Sequence, residues 1–117
     1  MNTIDCSPIV RNQAPSFLLR GLRMELGRAF GLALKRYRIR AGLSQEAFSN
    51  VSSRTYISTL ERGLKNPTLE KVGEISSILS VHPLTILVSC YLLQDDSLTL
   101  DNLLMRVRTE FLSPETE

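Results

Sequence analysis

Apolar residues recur along this chain at helical spacing. Between about 24 and 41, Leu26, Phe30, Leu34 and Tyr37 follow one another at intervals of four, four and three, with Arg28, Lys35, Arg36 and Arg40 on other faces. The spacing predicts an amphipathic first helix, which Gly42 ends as a left-handed C-cap before Leu43 turns back towards the core. Ser44 is placed to cap a short second helix over 45–50, whose early Glu46 suits the positive end of the helix dipole. Ser52 and Ser53 offer the next N-cap. Ile57 and Leu60 give the following helix, 54–62, its buried side, and Gly63 terminates it. Beyond a loop in which Asn66 precedes Pro67, a helix over 68–79 turns Leu69, Val72, Ile75 and Leu79 inward. Pro83, suited to a first turn because it has no N–H to satisfy there, opens a helix to Leu93. A last helix, 99–112, carries the stripe Leu100, Leu103, Leu104, Val107 and Phe111. No strand-like alternation or tandem repeat occurs, so the expected fold is all-α: five helices with an extra C-terminal helix.

Residues 1–23 are expected to be a flexible tail, 24–93 a helical domain, and 94–117 a linker followed by an amphipathic helix, a candidate dimerisation element. The 83–93 helix is apolar nearly all round, more than one small core can cover, so part of it is expected to meet a partner chain.

The composition, 43% hydrophobic and 22% charged, is that of a globular protein rather than a disordered one. The longest nearly apolar run, Leu84 to Leu93, has ten residues and includes Thr85 and Ser89, whereas a membrane span needs roughly 20. No membrane crossing is expected. Asp5, Pro8, Arg11 and Pro15 interrupt the start of the chain, so no secretory leader is expected either, and the location is read as cytoplasmic. Cys6 and Cys90 form neither a disulfide framework nor a clustered metal site and are read as reduced. His82 has no second imidazole to work with, and its place before Pro83 suits a helix start. No cofactor, metal or catalytic set is expected.

The net charge of +2 is unevenly spread. Residues 11–71 hold twelve Lys or Arg against four Glu (+8), and residues 72–117 hold two Arg against seven acidic residues (−5). A basic half favours a polyanionic partner. A tight helix pair whose second member opens with small polar residues and an arginine suits insertion of one helix end into a major groove. Arg can address guanine there, and Thr can address methyl or amide edges, which makes Arg54, Thr55 and Thr59 chemically apt.

The strings AGLSQEAF, RTYISTLERG and NPTLEKV together resemble the phage repressor/Cro type (XRE-like) of helix-turn-helix transcriptional regulator over about Phe30 to Leu87. The Arg-Thr-Tyr-Ile-Ser wording is similar to the controller proteins of restriction-modification systems. The resemblance implies a repressor-like DNA-binding domain in which Ser53, Arg54, Thr55 and Thr59 read base edges. It further implies that Gln45, Arg62, Lys65 and Asn66 touch phosphates, and that Arg38 pairs with Glu61 to brace the first helix against the reader. Tyr56 is left open between a sugar-phosphate contact and packing towards the second helix. Gln45 to Ile57 is two residues shorter than the usual family spacing and lacks the customary Gly, so Asn50 is expected to take the left-handed conformation in the turn.

The function expected is a sequence-specific regulator of double-stranded DNA, by default a repressor, acting as a homodimer on a palindromic operator, with RNA polymerase or another protein as a further candidate partner. The alternative is a protein-interaction or antitoxin-like module of the same fold that reads no DNA. An enzyme is not expected, because no nucleophile with a base and no carboxylate pair stands out.

Overall fold

Five α-helices and one turn of 3-10 helix follow one another in the computed structural model, which describes residues 24–113. They are α1 (Leu26–Arg40), η1 (Gln45–Phe48), α2 (Arg54–Glu61), α3 (Leu69–Leu79), α4 (Pro83–Gln94) and α5 (Leu100–Leu112). No strand occurs among the described residues, and the fold class is all-α. No single helix there is long and apolar enough to cross a membrane. The expected tail over 1–23, with Cys6, and the residues after Ser113 lie outside the described residues.

One core gathers these elements. Phe30 and Leu34 of α1, Phe48 of η1, Ile57 and Leu60 of α2, Val72, Ile75 and Leu79 of α3, and Ile86 and Cys90 of α4 are all buried in it. At eight residues, α2 is below the ~12–15 at which an isolated helix is even marginal in water. Its two fully buried side chains, each contributing about 1.5–3 kcal/mol, are therefore what holds it in place.

The two expected glycine caps form as Schellman motifs. Gly42 (φ 73°) and Gly63 (φ 75°) are left-handed. Leu43 N–H donates to Arg38 O and Gly42 N–H to Ile39 O, and the same pattern recurs from Leu64 to Thr59 and from Gly63 to Leu60.

Several expectations are corrected. The second helix is a single 3-10 turn, Gln45–Phe48, and Ser44 sits at its N-cap without a side-chain cap bond. Asn50 is not left-handed; Ser80, at the end of α3, is the only non-glycine with positive φ among the described residues. The turn needs no such residue, because Phe48 O accepts both the Val51 and the Ser52 N–H and closes it with right-handed geometry. Leu26 and Leu69, expected inward, are exposed. Each stands in the first turn of its helix, outside the core cluster.

His82 caps α4 by accepting the Leu84 N–H on Nδ1 at 3.0 Å. Of the apolar run that follows, only Ile86 and Cys90 are fully buried. Helix α5 starts from a Thr99 cap and buries none of its residues. Its Leu100 and Leu104, with Tyr37, Leu84, Val88 and Leu92, line an apolar groove of about 510 Å³ between α4 and α5.

Candidate nucleic-acid interface

The exposed edge of α2 is built from its cap outwards. Ser53 is extended (φ −74°, ψ 156°) and its Oγ accepts the Tyr56 N–H at 3.0 Å, which leaves the Ser53 hydroxyl proton free to donate outward. Ser53, Arg54 and Thr55 are all exposed, and Thr59, one turn on, is half-buried with its hydroxyl donating to Thr55 O at 2.8 Å. The first three thus form one accessible polar edge at the N-terminus of α2, with Thr59 set deeper. Tyr56 is half-buried and packs against the core.

Arg54 is not free in this edge. Its Nε lies 3.1 Å from Glu46 Oε2 across the turn, with side chains 65% and 63% exposed. An ion pair so open to water contributes about 0–1 kcal/mol, too little for it to matter to the fold.

Beneath the edge lies a buried ionic brace. Arg38 of α1 donates from Nε to Glu61 Oε2 at 2.6 Å and from Nη2 to Glu61 Oε1 at 3.0 Å. Its Nη1 donates to Leu43 O at 3.0 Å. The two side chains are 13% and 5% exposed. The hydrogen bonds to Glu61 raise the Arg38 pKa above its ordinary value against the opposing effect of burial, and the charges of Glu61 and Glu46 add to the rise. Gln45 joins this network, its Nε2 donating to Glu61 Oε1 at 3.0 Å. The amide expected to meet a phosphate is therefore engaged inward, and it ties η1 to α1 and α2.

After α2 the remaining polar residues are spread along the connecting segment. Arg62 is the C-cap, exposed, with Nε 3.4 Å from Ser58 O. Lys65 Nζ stands 6.0 Å from the Tyr56 ring centroid, and Asn66 Oδ1 lies against Gly27 of α1.

Two supports escaped the sequence reading. Lys71 of α3 donates from Nζ to Val51 O at 2.6 Å and pairs with Glu74 at 2.8 Å, so α3 holds the turn that launches α2. Gly31 of α1 faces the last carbonyls of α2: a β-carbon there would collide with Leu60 O and stand 2.7 Å from Glu61 O. A glycine inside a helical pattern, here Gly31 with Gly27 one turn before it, costs helix propensity and so points to a packing reason. The Lys71 contact has no sequence signal.

A short turn joins η1 to an α2 that is capped, braced from beneath and open along its N-terminal edge, which is the architecture of a helix-turn-helix unit. The family described as helix-turn-helix matches residues 34–86. The chain is 40% identical over 57 residues to the control protein C.BamHI of Bacillus amyloliquefaciens, covering 46% of this chain and 70% of that protein. In structure it is similar to the clp gene regulator ClgR of Corynebacterium glutamicum. One crystal structure of that regulator gives a TM-score of 0.58 at 24% identity, over 62% of this chain and 96% of that one. A second gives 0.57 at 23%, over 80% and 99%. The chain belongs to the repressor-type, XRE-like helix-turn-helix family of DNA-binding transcriptional regulators.

Proposed function

We propose that the protein is a sequence-specific repressor that binds a palindromic operator as a homodimer and acts from the cytoplasm by occluding RNA polymerase. The observation that carries this reading is the exposed edge Ser53–Arg54–Thr55 at the start of a rigidly braced α2. In the reading, Ser53, Arg54, Thr55 and Thr59 address base edges in the major groove. Arg54 supplies most of the discrimination, about 1–3 kcal/mol for a good bidentate pair with guanine. Arg62, Lys65, Asn66 and the η1 end at Gln45 meet the phosphates and supply affinity. Arg38 and Glu61 stay inside and fix the angle of the reader.

Residues 24–93 are then the DNA-binding domain, and 94–117 the linker and dimerisation element. The occupant we assign to the groove between α4 and α5 is a second copy of this chain. The exposed apolar side chains of α5, with Phe111 85% exposed and Val107 51%, continue from the Leu100 and Leu104 wall of that groove and match its lining. Such a dimer carries two readers to half-sites about one helical turn apart.

Selection of bound sites from a random duplex pool by the full chain tests the reading. A palindromic product is expected. A product without two-fold symmetry removes the dimer, and failure to enrich any sequence favours the protein-interaction alternative.

A further inference from the structure

The ion pair on the reading edge has a geometry that bears on specificity. Glu46 Oε2 lies 3.1 Å from Arg54 Nε. A guanidinium with a carboxylate beside its Nε keeps its terminal N–H pair for another acceptor, and that planar fork matches the O6 and N7 acceptors of guanine.

Charge makes the same point independently. A carboxylate near DNA repels phosphates, and Glu46 is the one acidic residue between Gln45 and Arg54. It neutralises the reader's charge while the reader is off its base. An arginine neutralised in this way adds little to sequence-independent attraction, which depends on net cationic contacts with phosphate.

Resting on the proposed reading of DNA by α2, we propose that Glu46 is a specificity-determining positioning residue: it presents Arg54 to guanine and withholds it from phosphate.

The test uses the full chain with two duplexes, the site that wild type selects from a random pool and a random-sequence duplex, each titrated with salt. Glu46→Gln frees one cation. It should raise affinity for the random duplex about three- to tenfold and steepen its log–log salt dependence by about one. Affinity for the selected site should rise less, so the ratio of specific to random binding falls. Replacing the contacted guanine by 7-deazaguanine, which lacks the N7 acceptor, should cost Glu46→Gln less than it costs wild type. In an Arg54→Ala background, Glu46→Gln should leave the ratio unchanged.

The proposal is overturned if Glu46→Gln keeps the wild-type ratio. It is equally overturned if the ratio falls as far without Arg54, because Glu46 would then act as a bare charge or contact a base itself. A wild-type chain that enriches no duplex removes the DNA reading, and this proposal with it. A wild-type chain that enriches a site unaffected by Glu46→Gln removes this proposal alone.

Discussion

Gly31 of α1 lies against the carbonyl oxygen of Leu60 in α2, closer than any β-carbon at that position would allow. The two helices meet backbone to backbone at the C-terminal end of α2, so the glycine sets the distance at which α2 is held. In a helix interior, Gly to Ala ordinarily stabilises by about 0.5–1 kcal/mol. Here the sign reverses, because the obstruction is main chain and cannot swing aside. Gly31→Ala should lower unfolding free energy by about 1–3 kcal/mol, read from urea denaturation. Gly73, inside α3 with nothing within 4 Å of its would-be β-carbon, is the control: Gly73→Ala should raise stability by about 0.5–1 kcal/mol. Equal effects at the two sites would contradict the close approach.

The Arg38–Glu61 brace predicts an asymmetry. Glu61→Gln leaves the Arg38 guanidinium, 13% exposed, without its counter-charge and should cost about 3 kcal/mol. Replacing both partners, Arg38→Met with Glu61→Leu, should recover most of that loss, since no buried charge is then left alone. Denaturation midpoints at an unchanged m-value report both. A double variant as unstable as the single would show that the pair is not the term at issue.

Lys71 gives a prediction that couples α3 to the turn before α2. Lys71→Met removes the donor from Val51 O and should cost about 1–2 kcal/mol, the range for a charged hydrogen bond on a part-exposed side chain. Because that carbonyl belongs to the turn before α2, amide exchange should accelerate in 49–56 more than in α4. Uniform acceleration across the chain would mean that Lys71 stabilises the protein without holding the turn.

Burial pushes the Cys90 thiol from 9.0 up to about 11, and its Sγ–H faces Leu26 O at 3.7 Å. An unfolded chain releases that proton from about pH 9, the folded chain only near pH 11. Between those values the unfolded state binds fewer protons, so stability falls as pH rises. Below pH 9 both states keep the proton, and Cys90 contributes no slope. The stability difference between wild type and Cys90→Ala should therefore shrink from pH 9 to 11 and stay constant from pH 6 to 8. A constant difference throughout would contradict the shift.

How far the sequence discloses this arrangement depends on the kind of residue. Gly42 and Gly63 are legible as helix ends because a left-handed residue after a periodic run is nearly always glycine. Ser53 is legible as a cap because it precedes the run that Ile57 and Leu60 anchor. The 45–50 segment misleads, since its residues suit a helix whereas the backbone settles into one 3-10 turn over Gln45–Phe48. Hydrophobic periodicity also places Leu26 and Leu69 inward, although a first turn can project past the core. Contacts that cross between elements leave no periodic trace: Lys71 with Val51, Glu46 with Arg54 and Gln45 with Glu61 join residues whose spacing carries no rule.

The central claim is that the N-terminal edge of α2 reads duplex DNA, and fluorescence anisotropy of the full chain on its selected duplex across a salt series tests it most directly. Wild type should bind tightly at low salt, with affinity falling linearly on a log–log plot as phosphate contacts are screened. Arg54→Ala should weaken binding to the selected duplex by about tenfold or more while changing binding to random duplex far less. Equal binding of wild type and Arg54→Ala to both duplexes, or no binding by wild type even at low ionic strength, would contradict the claim.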